Sequence, residues 1–469
     1  MRQVNGFLLE PVFLLHLPRE ERVPVTEKEN MLGTMPVGRL VLRMSWPVML
    51  SMLMQAVYNL VDSVYVAQIG DDAFLALSYA YPIQMLLVAF CTGTGVAFSA
   101  ALAQRLGERK PREAEQAVLH GYLFYGCVWL LFLAFGLLAS GIYMNACTQN
   151  LRVAEMGREY LMICCCFSFG VCTQFPCERV LQSTGHPSGF MIVQGSGALI
   201  NLVLDPILIF VCDMGVQGAA VATVIGQISG AVIGLCLVRR IRDQLPLNPR
   251  AFRFQRELAG EMGRIALPAI VMQSMSSLMS MGMNAVLNLH SETAVWVLGV
   301  YFKVQSFVFM PMFSINNGLI SILSFNYGAR SRHRVSGAIR FGILAALATA
   351  LAGLLLLWVC AYPLLKVAFN AGGAALELGV PALRMTALAF PVAAVSIACS
   401  AAFQSLGRSM DSLVVTLLRQ LVLLLPIALL LVRLMPQYVF LSFLLAELGA
   451  CGAALVLFAR LYRRTISRI

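Results

Sequence analysis

The 469-residue chain is 59% hydrophobic and only 12% charged, with a mean hydropathy of +0.79. That balance excludes a soluble globular protein of this length and points to a polytopic membrane protein. The net charge of +11 is spread over alternate connections rather than gathered in one patch, which argues against nucleic acid as a partner.

In chain order, residues 1–38 read as an N-terminal cytoplasmic extension. Its short apolar piece, Phe7 to Leu17, is interrupted by Glu10 and His16 and has no small-residue cleavage site after it. It is therefore not read as a signal peptide, and Met31 is an alternative start. A spanning helix needs about 20 mostly apolar residues. Twelve segments qualify, beginning near Ser45, Phe74, Ala117, Val153, Pro187, Val216, Ile265, Val295, Val335, Leu376, Ser412 and Tyr438. The expected fold class is an all-α polytopic membrane protein of twelve transmembrane helices.

Arg105, Arg109, Lys110 and Arg112 fall in one connection, and Arg239 to Arg264 in another. Arg330, Arg332, Arg334 and Arg340 fall in a third, and Arg460, Arg463, Arg464 and Arg468 at the C-terminus. The intervening loops are poor in base, carrying Asp71, Asp72, Asp213, His290 and Glu292, with Arg152, Arg158, Lys366 and Arg433 as scattered exceptions. This positive-inside alternation places both termini in the cytoplasm of a multi-pass protein of the plasma membrane, with the basic loops against anionic lipid headgroups. The thirteen cysteines form no paired C-x-x-C spacing; they read as buried thiols, and no cofactor is expected.

The chain repeats itself. At an offset of 221 residues Pro47 meets Pro268, Gly107 meets Gly328, Arg109 meets Arg330 and Gly121 meets Gly342; at 222, Gln182, Ser183 and Gly185 meet Gln404, Ser405 and Gly407. Each half holds six helices, so the halves share one orientation, a parallel repeat whose substrate site lies between them. The expected organisation is an N-lobe at 39–240, a cytoplasmic linker at 241–262, a C-lobe at 263–464 and a tail at 465–469.

Two acids stand inside apolar segments: Asp62 between Ser45 and Ile69, and Asp205, with Asn201 and Pro206, between Met191 and Val211. A carboxylate near a bilayer centre costs about 2.5–3.5 kcal/mol on insertion scales, so a functional reason is expected. Asp62 maps by the repeat onto Met283, and Leu421 to Leu431, the image of Asp205, holds no acid. Function is thus expected in one half. Counting about 1.5 Å per residue from the helix ends sets Asp62, Asp205, Tyr160 and Thr223 at one depth, with Asn201 one turn from Asp205 on the same face.

Hard oxygens from Asp62, Asn201, Asp205 and Thr223 suit Na⁺, whereas the acids with Tyr160 suit H⁺; the sequence leaves both open. Pro206 should free a backbone carbonyl and bend its helix. Gln55, Gln84, Gln273, Asn284, Asn316 and Asn317 are candidates for lining a substrate cleft. Lys303 near a helix end reads as snorkelling, Glu447 as a lone acid, and the histidines as interfacial residues with no assigned role.

These residues resemble the multidrug and toxic compound extrusion (MATE) transporters from about Met31 onward. The resemblance rests on Gly33-Thr34-Met35-Pro36, Tyr58 to Asp62, Gln182 to Pro187, Asn201-x-x-x-Asp205-Pro206, Gly218 to Thr223, and Asn326-Tyr327-Gly328-Ala329. It implies two six-helix lobes around a V-shaped cleft and cation-coupled antiport of small amphipathic, often cationic, drugs and toxic compounds. It also implies a cation site at Asp62, Tyr160, Asn201, Asp205 and Thr223. No acid occurs from Ile265 to Leu289 or from Leu378 to Leu406, so the chain resembles the branch with N-lobe acids only.

The chain is expected to act as a monomer in contact with membrane lipids. It is not expected to be an enzyme, because no nucleophile–base pair or H-E-x-x-H array stands in the helices. The alternative, a flippase for a lipid-linked glycan precursor, would call for a cleft rich in Arg or Lys, and the helices carry few away from their ends.

Overall fold

The computed structural model describes residues 31–241, 245, 248, 250, 252–369 and 372–468. The Phe7 to Leu17 piece, and Arg242, Pro246 and Pro249 of the linker, lie outside the described residues. Among the described residues a one-turn helix, Met31–Thr34, leads into eleven helices long and apolar enough to cross a membrane, and a bent pair that makes a twelfth span. In the first half these are α1 (Val37–Ile69), α2 (Asp71–Gly107), α3 (Pro111–Leu138), α4 (Leu151–Cys166 with Phe169–Ser183), α5 (Pro187–Val211) and α6 (Gly215–Arg240). The second half holds α7 (Arg256–Asn288), α8 (Glu292–Gly328), α9 (Arg332–Val367), α10 (Ala374–Ser405), α11 (Ser409–Leu434) and α12 (Leu441–Arg464). The chain is therefore an all-α polytopic membrane protein.

Expected and observed starts agree to within three residues except at Ala117, where the helix begins at Pro111, and at Ser45 and Ile265. There the helices begin earlier, at Val37 and Arg256, because the amphipathic turn carrying Arg39 and Arg43, or Arg256 and Arg264, continues past the apolar core. Two other departures from straight helices trace to particular residues. In α4 the pieces meet at 45° across Phe167 and Ser168, where the Ser168 hydroxyl donates to the Cys165 carbonyl at 2.7 Å and competes with the helical ladder. Past Pro206, which has no N–H to donate, α5 widens into a π-helical turn, Ile207–Val211, with Cys212 N–H bonded to the Ile207 carbonyl at 2.9 Å. Pro363 precedes a similar turn, Leu364–Ala368.

The repeat is visible in backbone geometry. Arg109 and Arg330 both adopt the left-handed region, at φ 57° and 52°, and so do Gly185 and Gly407, at 86° and 74°. The glycine pair is where each half's Q-S-x-G sequence leaves its helix, a turn that glycine enters without strain. Gly107 and Gly328 meet where the halves touch: a side chain on either would run into the other half's backbone, at the Phe325 or Gln104 carbonyl.

Packing divides the molecule into two lobes joined at one end. One apolar core draws on both halves, from Leu32, Met44 and Phe98 to Ile320, Phe325 and Phe403, and lies toward the basic turns. Away from that end it splits: Val66, Met144, Leu161 and Ile209 pack within the first half alone, and Leu287, Leu298, Tyr301 and Phe390 within the second alone. Two separate cores above a shared one define a V closed at the basic end. Hydrogen bonds reinforce the closure, from Ser314 to the Ser45 carbonyl (2.8 Å) and from Asn326 and Arg334 to the Leu32 carbonyl (3.1 and 3.0 Å). Arg105 of α2 also pairs with Glu261 of α7 at 2.6 Å.

The outer surface is apolar, with Leu138 and Val359 about three-quarters exposed, as a lipid-facing surface requires. His120, left without a role by the sequence, is fully buried. Its Nδ1–H donates to the Gln116 carbonyl at 2.8 Å, its Nε2 accepts from Gln255 N–H at 2.9 Å, and Phe252 and Phe254 pack on its ring, tying the linker to α3.

Candidate functional site

Four helices of the N-lobe converge on the polar residues that the sequence set at one depth. Gly197 of α5 and Gly226 of α6 let the two backbones touch: a side chain on Gly226 would come within 2.7 Å of the Gly197 carbonyl. That approach brings Asn201 to Thr223 at 3.4 Å, while the α-helical four-residue spacing brings Asn201 Nδ2 to Asp205 Oδ1 at 3.2 Å. Asn201 is 3% exposed and Asp205 not at all. Asp62 of α1 interacts electrostatically with Asp205 and with Tyr160 of α4. Tyr160 is buried and accepts from Gln84 at 2.7 Å.

Asn201, Asp205 and Thr223 are thus in hydrogen-bond contact, and Asp62 interacts electrostatically with Asp205 and with Tyr160. Asp62 Oδ1, Asn201 Oδ1 and Asp205 Oδ2 are all buried without a hydrogen-bond partner. Buried polar atoms are ordinarily paired. Three orphaned acceptor oxygens, two of them from carboxylates, form a set that a cation or a proton would complete.

A cavity of about 610 Å³ lies between the lobes, within the range of small-molecule sites. Gln55, Gln273, Asn316 and Asn317 line it. The other two cleft candidates do not. Gln84 turns instead to Tyr160, and Asn284 is exposed on α7 outside the cavity: three turns on from Gln273 it shares that residue's face but lies about 16 Å farther along the helix. Asn201 and Thr223 reach the cavity wall, and a polar relay runs along it toward the acids: Gln194 donates to Gln55 (2.9 Å), and Gln55 donates to the hydroxyl of Tyr58 (3.1 Å). Tyr58 sits one turn before Asp62 and interacts electrostatically with both acids.

The sequence reading missed the charges inside the cavity. Glu178 and Arg179 of α4 line it, and so does Arg419 of α11. Glu447 is not a lone acid: it pairs with Arg419 at 3.4 Å, both side chains nearly buried. The repeat carried the signal, since at the 222-residue offset that aligns Gln182 with Gln404, Glu178 and Arg179 map onto Ser400 and Ala401, and Arg419 onto Gly197. The charges at Glu155, Arg158 and Glu159 earlier in α4 hid the pair by making the whole segment look polar. Lys303 lies over the Phe369 ring at 6.0 Å, a snorkelling geometry.

Residues 47–207 and 268–430 each match the MatE family model, and the chain belongs to that family, the MATE transporters. The two matches begin 221 residues apart, the offset of the repeat. The chain is accordingly a membrane transporter of the multidrug-efflux class and not an enzyme. It is 25% identical over 401 residues to the FAD transporter of Shewanella oneidensis, covering 84% of this chain and 88% of that protein. To the multidrug export protein MepA of Staphylococcus aureus it is 21% identical over 321 residues, covering 66% and 69%.

The fold is similar to that of a multidrug-resistance MATE transporter solved in an outward-facing conformation (TM-score 0.88, 23% identity, 94% of this chain and 99% of that one). It is likewise similar to a Pyrococcus furiosus transporter of the MOP superfamily described as having a binding pocket of reversed polarity (TM-score 0.86, 23% identity, 92% and 97%).

Proposed function

We propose that this transporter exports amphipathic small molecules by alternating access, driven by H⁺ or Na⁺ bound in the N-lobe at Asp62, Asn201, Asp205 and Thr223, with Tyr160 beside them. The observation that carries this reading is the set of three orphaned acceptor oxygens on Asp62, Asn201 and Asp205. A cation there would draw α1 toward α5. It would be felt in the cavity through Tyr58 and Gln55, and the π-helical turn after Pro206 gives α5 a place to bend. Ion binding and drug binding would then compete through the geometry of α1. The V closed at the basic end, together with the positive-inside pattern, supports an outward-facing state in the plasma membrane with both termini cytoplasmic.

The proposed units are the N-lobe at 39–240 and the C-lobe at 263–464, joined by a cytoplasmic linker at 241–262. The cavity is built by one chain's two lobes, which supports a monomer as the working unit. Moving one charge through the membrane is worth about 2.3 kcal/mol per 100 mV, enough to accumulate substrate some tens-fold per coupled ion.

The test is transport of an aromatic cation, ethidium, and an aromatic anion, carboxyfluorescein, in proteoliposomes under separate Na⁺ and pH gradients. At least one gradient should drive at least one probe in the wild type, and neither gradient should drive it in Asp205→Asn or Asp62→Asn. Gradient-driven transport unchanged in both variants would overturn the assignment.

A further inference from the structure

The cavity's charged side chains are not equivalent. On the C-lobe wall Arg419 already has a carboxylate, that of Glu447 at 3.4 Å. On the N-lobe wall Glu178 is held by Gln174, whose amide donates to Oε1 at 2.9 Å. Arg179 is 6% exposed, lines the cavity, and has no carboxylate within ion-pair distance among the described residues. Its single hydrogen bond there is from Nη1 to Gln182 at 3.1 Å, and its Nε is buried with no partner.

The guanidinium is nonetheless held in place. Phe190 stacks on it at 5.7 Å, and Gly95 of α2 leaves the room it occupies: a side chain there would come within 2.8 Å of Nε and 2.9 Å of the Tyr125 hydroxyl. Glu178 interacts with Arg179 electrostatically but forms no ion pair with it, so the buried guanidinium keeps donors unused, and a planar fork positioned by stacking matches an oxyanion. Phe175, Phe190 and Phe313, with Met52, Met272 and Met310, supply apolar and aromatic surface around it.

We infer that the transported substrate is an amphipathic organic anion, an aromatic body bearing a carboxylate or phosphate that docks on Arg179 in the central cavity. This deepens the proposed function, rests on the cavity being the transport cavity, and departs from the cationic drugs that the family resemblance implied. The oxyanion belongs either to a soluble compound or to a phosphate-bearing lipid; the recognition chemistry is the same. Glu178, one residue away, sets the limit on the charge tolerated: it repels the anion that Arg179 attracts.

The test is equilibrium binding to the purified full-length protein without any ion gradient, so that it reads recognition and not coupling. Fluorescence polarisation compares carboxyfluorescein, an aromatic anion, with ethidium, an aromatic cation of similar size. The wild type should bind carboxyfluorescein at least tenfold more tightly than ethidium. Arg179→Gln should weaken carboxyfluorescein at least tenfold and leave ethidium unweakened, while Glu178→Gln should tighten carboxyfluorescein. Should Arg179→Gln fail to fold, Arg179→Lys keeps the charge without the fork and Gly95→Val displaces the guanidinium without removing it; each should weaken the anion several-fold.

Displacement by flavin mononucleotide identifies a soluble substrate class, and displacement only by a polyprenyl phosphate identifies a lipid one. Anion binding unchanged in all three Arg179 and Gly95 variants would overturn the proposal, as would ethidium preferred by the wild type and lost in Glu178→Gln. Because binding is read without a gradient, Asp205→Asn can lose coupling while anion recognition survives, and Arg179→Gln can do the reverse.

Discussion

The two lobes share a chain trace and differ in what they do with buried charge. In the N-lobe the acids Asp62 and Asp205 keep oxygens without partners, and Arg179 forms no ion pair among the described residues, though Glu178 interacts with it electrostatically. In the C-lobe the acid and the arginine, Glu447 and Arg419, pair at 3.4 Å through Oε1, while Glu447 Oε2 keeps no hydrogen-bond partner. A buried ion pair is satisfied in one conformation and gives an incoming ligand little to bind; orphaned acids and an orphaned arginine do the opposite. The repeat supplies the scaffold twice; the N-lobe copy holds two buried acids with no arginine paired to either, and the C-lobe copy holds one acid in an ion pair.

Breaking the N-lobe set should have the largest effect. Asp205→Asn and Asp62→Asn should each reduce gradient-driven efflux to the level of empty vesicles, while the purified proteins elute and melt like wild type. Next comes the C-lobe pair. Arg419→Ala leaves Glu447 buried and uncompensated and should destabilise the fold by about 3–5 kcal/mol, whereas the double variant Arg419→Met with Glu447→Leu should be far closer to neutral. Thermal unfolding in detergent distinguishes them, and a single variant no worse than the double would show that the pair is not electrostatically closed.

The joint between the lobes should respond more mildly. Gly107→Ala or Gly328→Ala forces a methyl against a carbonyl of the other half, at a cost of about 1–3 kcal/mol, and should shift the molecule away from the state closed at the basic end. Cysteine accessibility near Ser45 and Ser314 reads that shift. The smallest effect belongs to Thr223→Val, which removes one neutral oxygen at the edge of the site. It should raise the ion concentration needed for half-maximal transport several-fold with little change in maximal rate, a loss of about 1 kcal/mol.

Much of this was legible in the residues. Twelve apolar segments, the 221-residue repeat and the four-residue spacing of Asn201 and Asp205 follow from helix period and span length, and depth counting selected residues that the helices do bring together. Two things were not legible. How far along α7 the cavity extends depends on how the lobes meet, so Asn284, on the same face as Gln273 but three turns on, is not among the lining residues. The pairing of Arg419 with Glu447 joins residues on different helices, and no periodicity within one helix reports it. Arg179 was legible in principle, through its uncharged repeat image Ala401, and was obscured by the charges earlier on the same helix.

The claim that the coupling site belongs to the N-lobe alone is tested most directly by ion-dependent thermal stabilisation of the purified protein. Unfolding is followed as Na⁺ is added or pH is lowered, in wild type, Asp205→Asn and Glu447→Gln. The account predicts an ion-dependent rise in melting temperature for wild type that disappears in Asp205→Asn and persists in Glu447→Gln. A rise that survives Asp205→Asn and disappears in Glu447→Gln would contradict it.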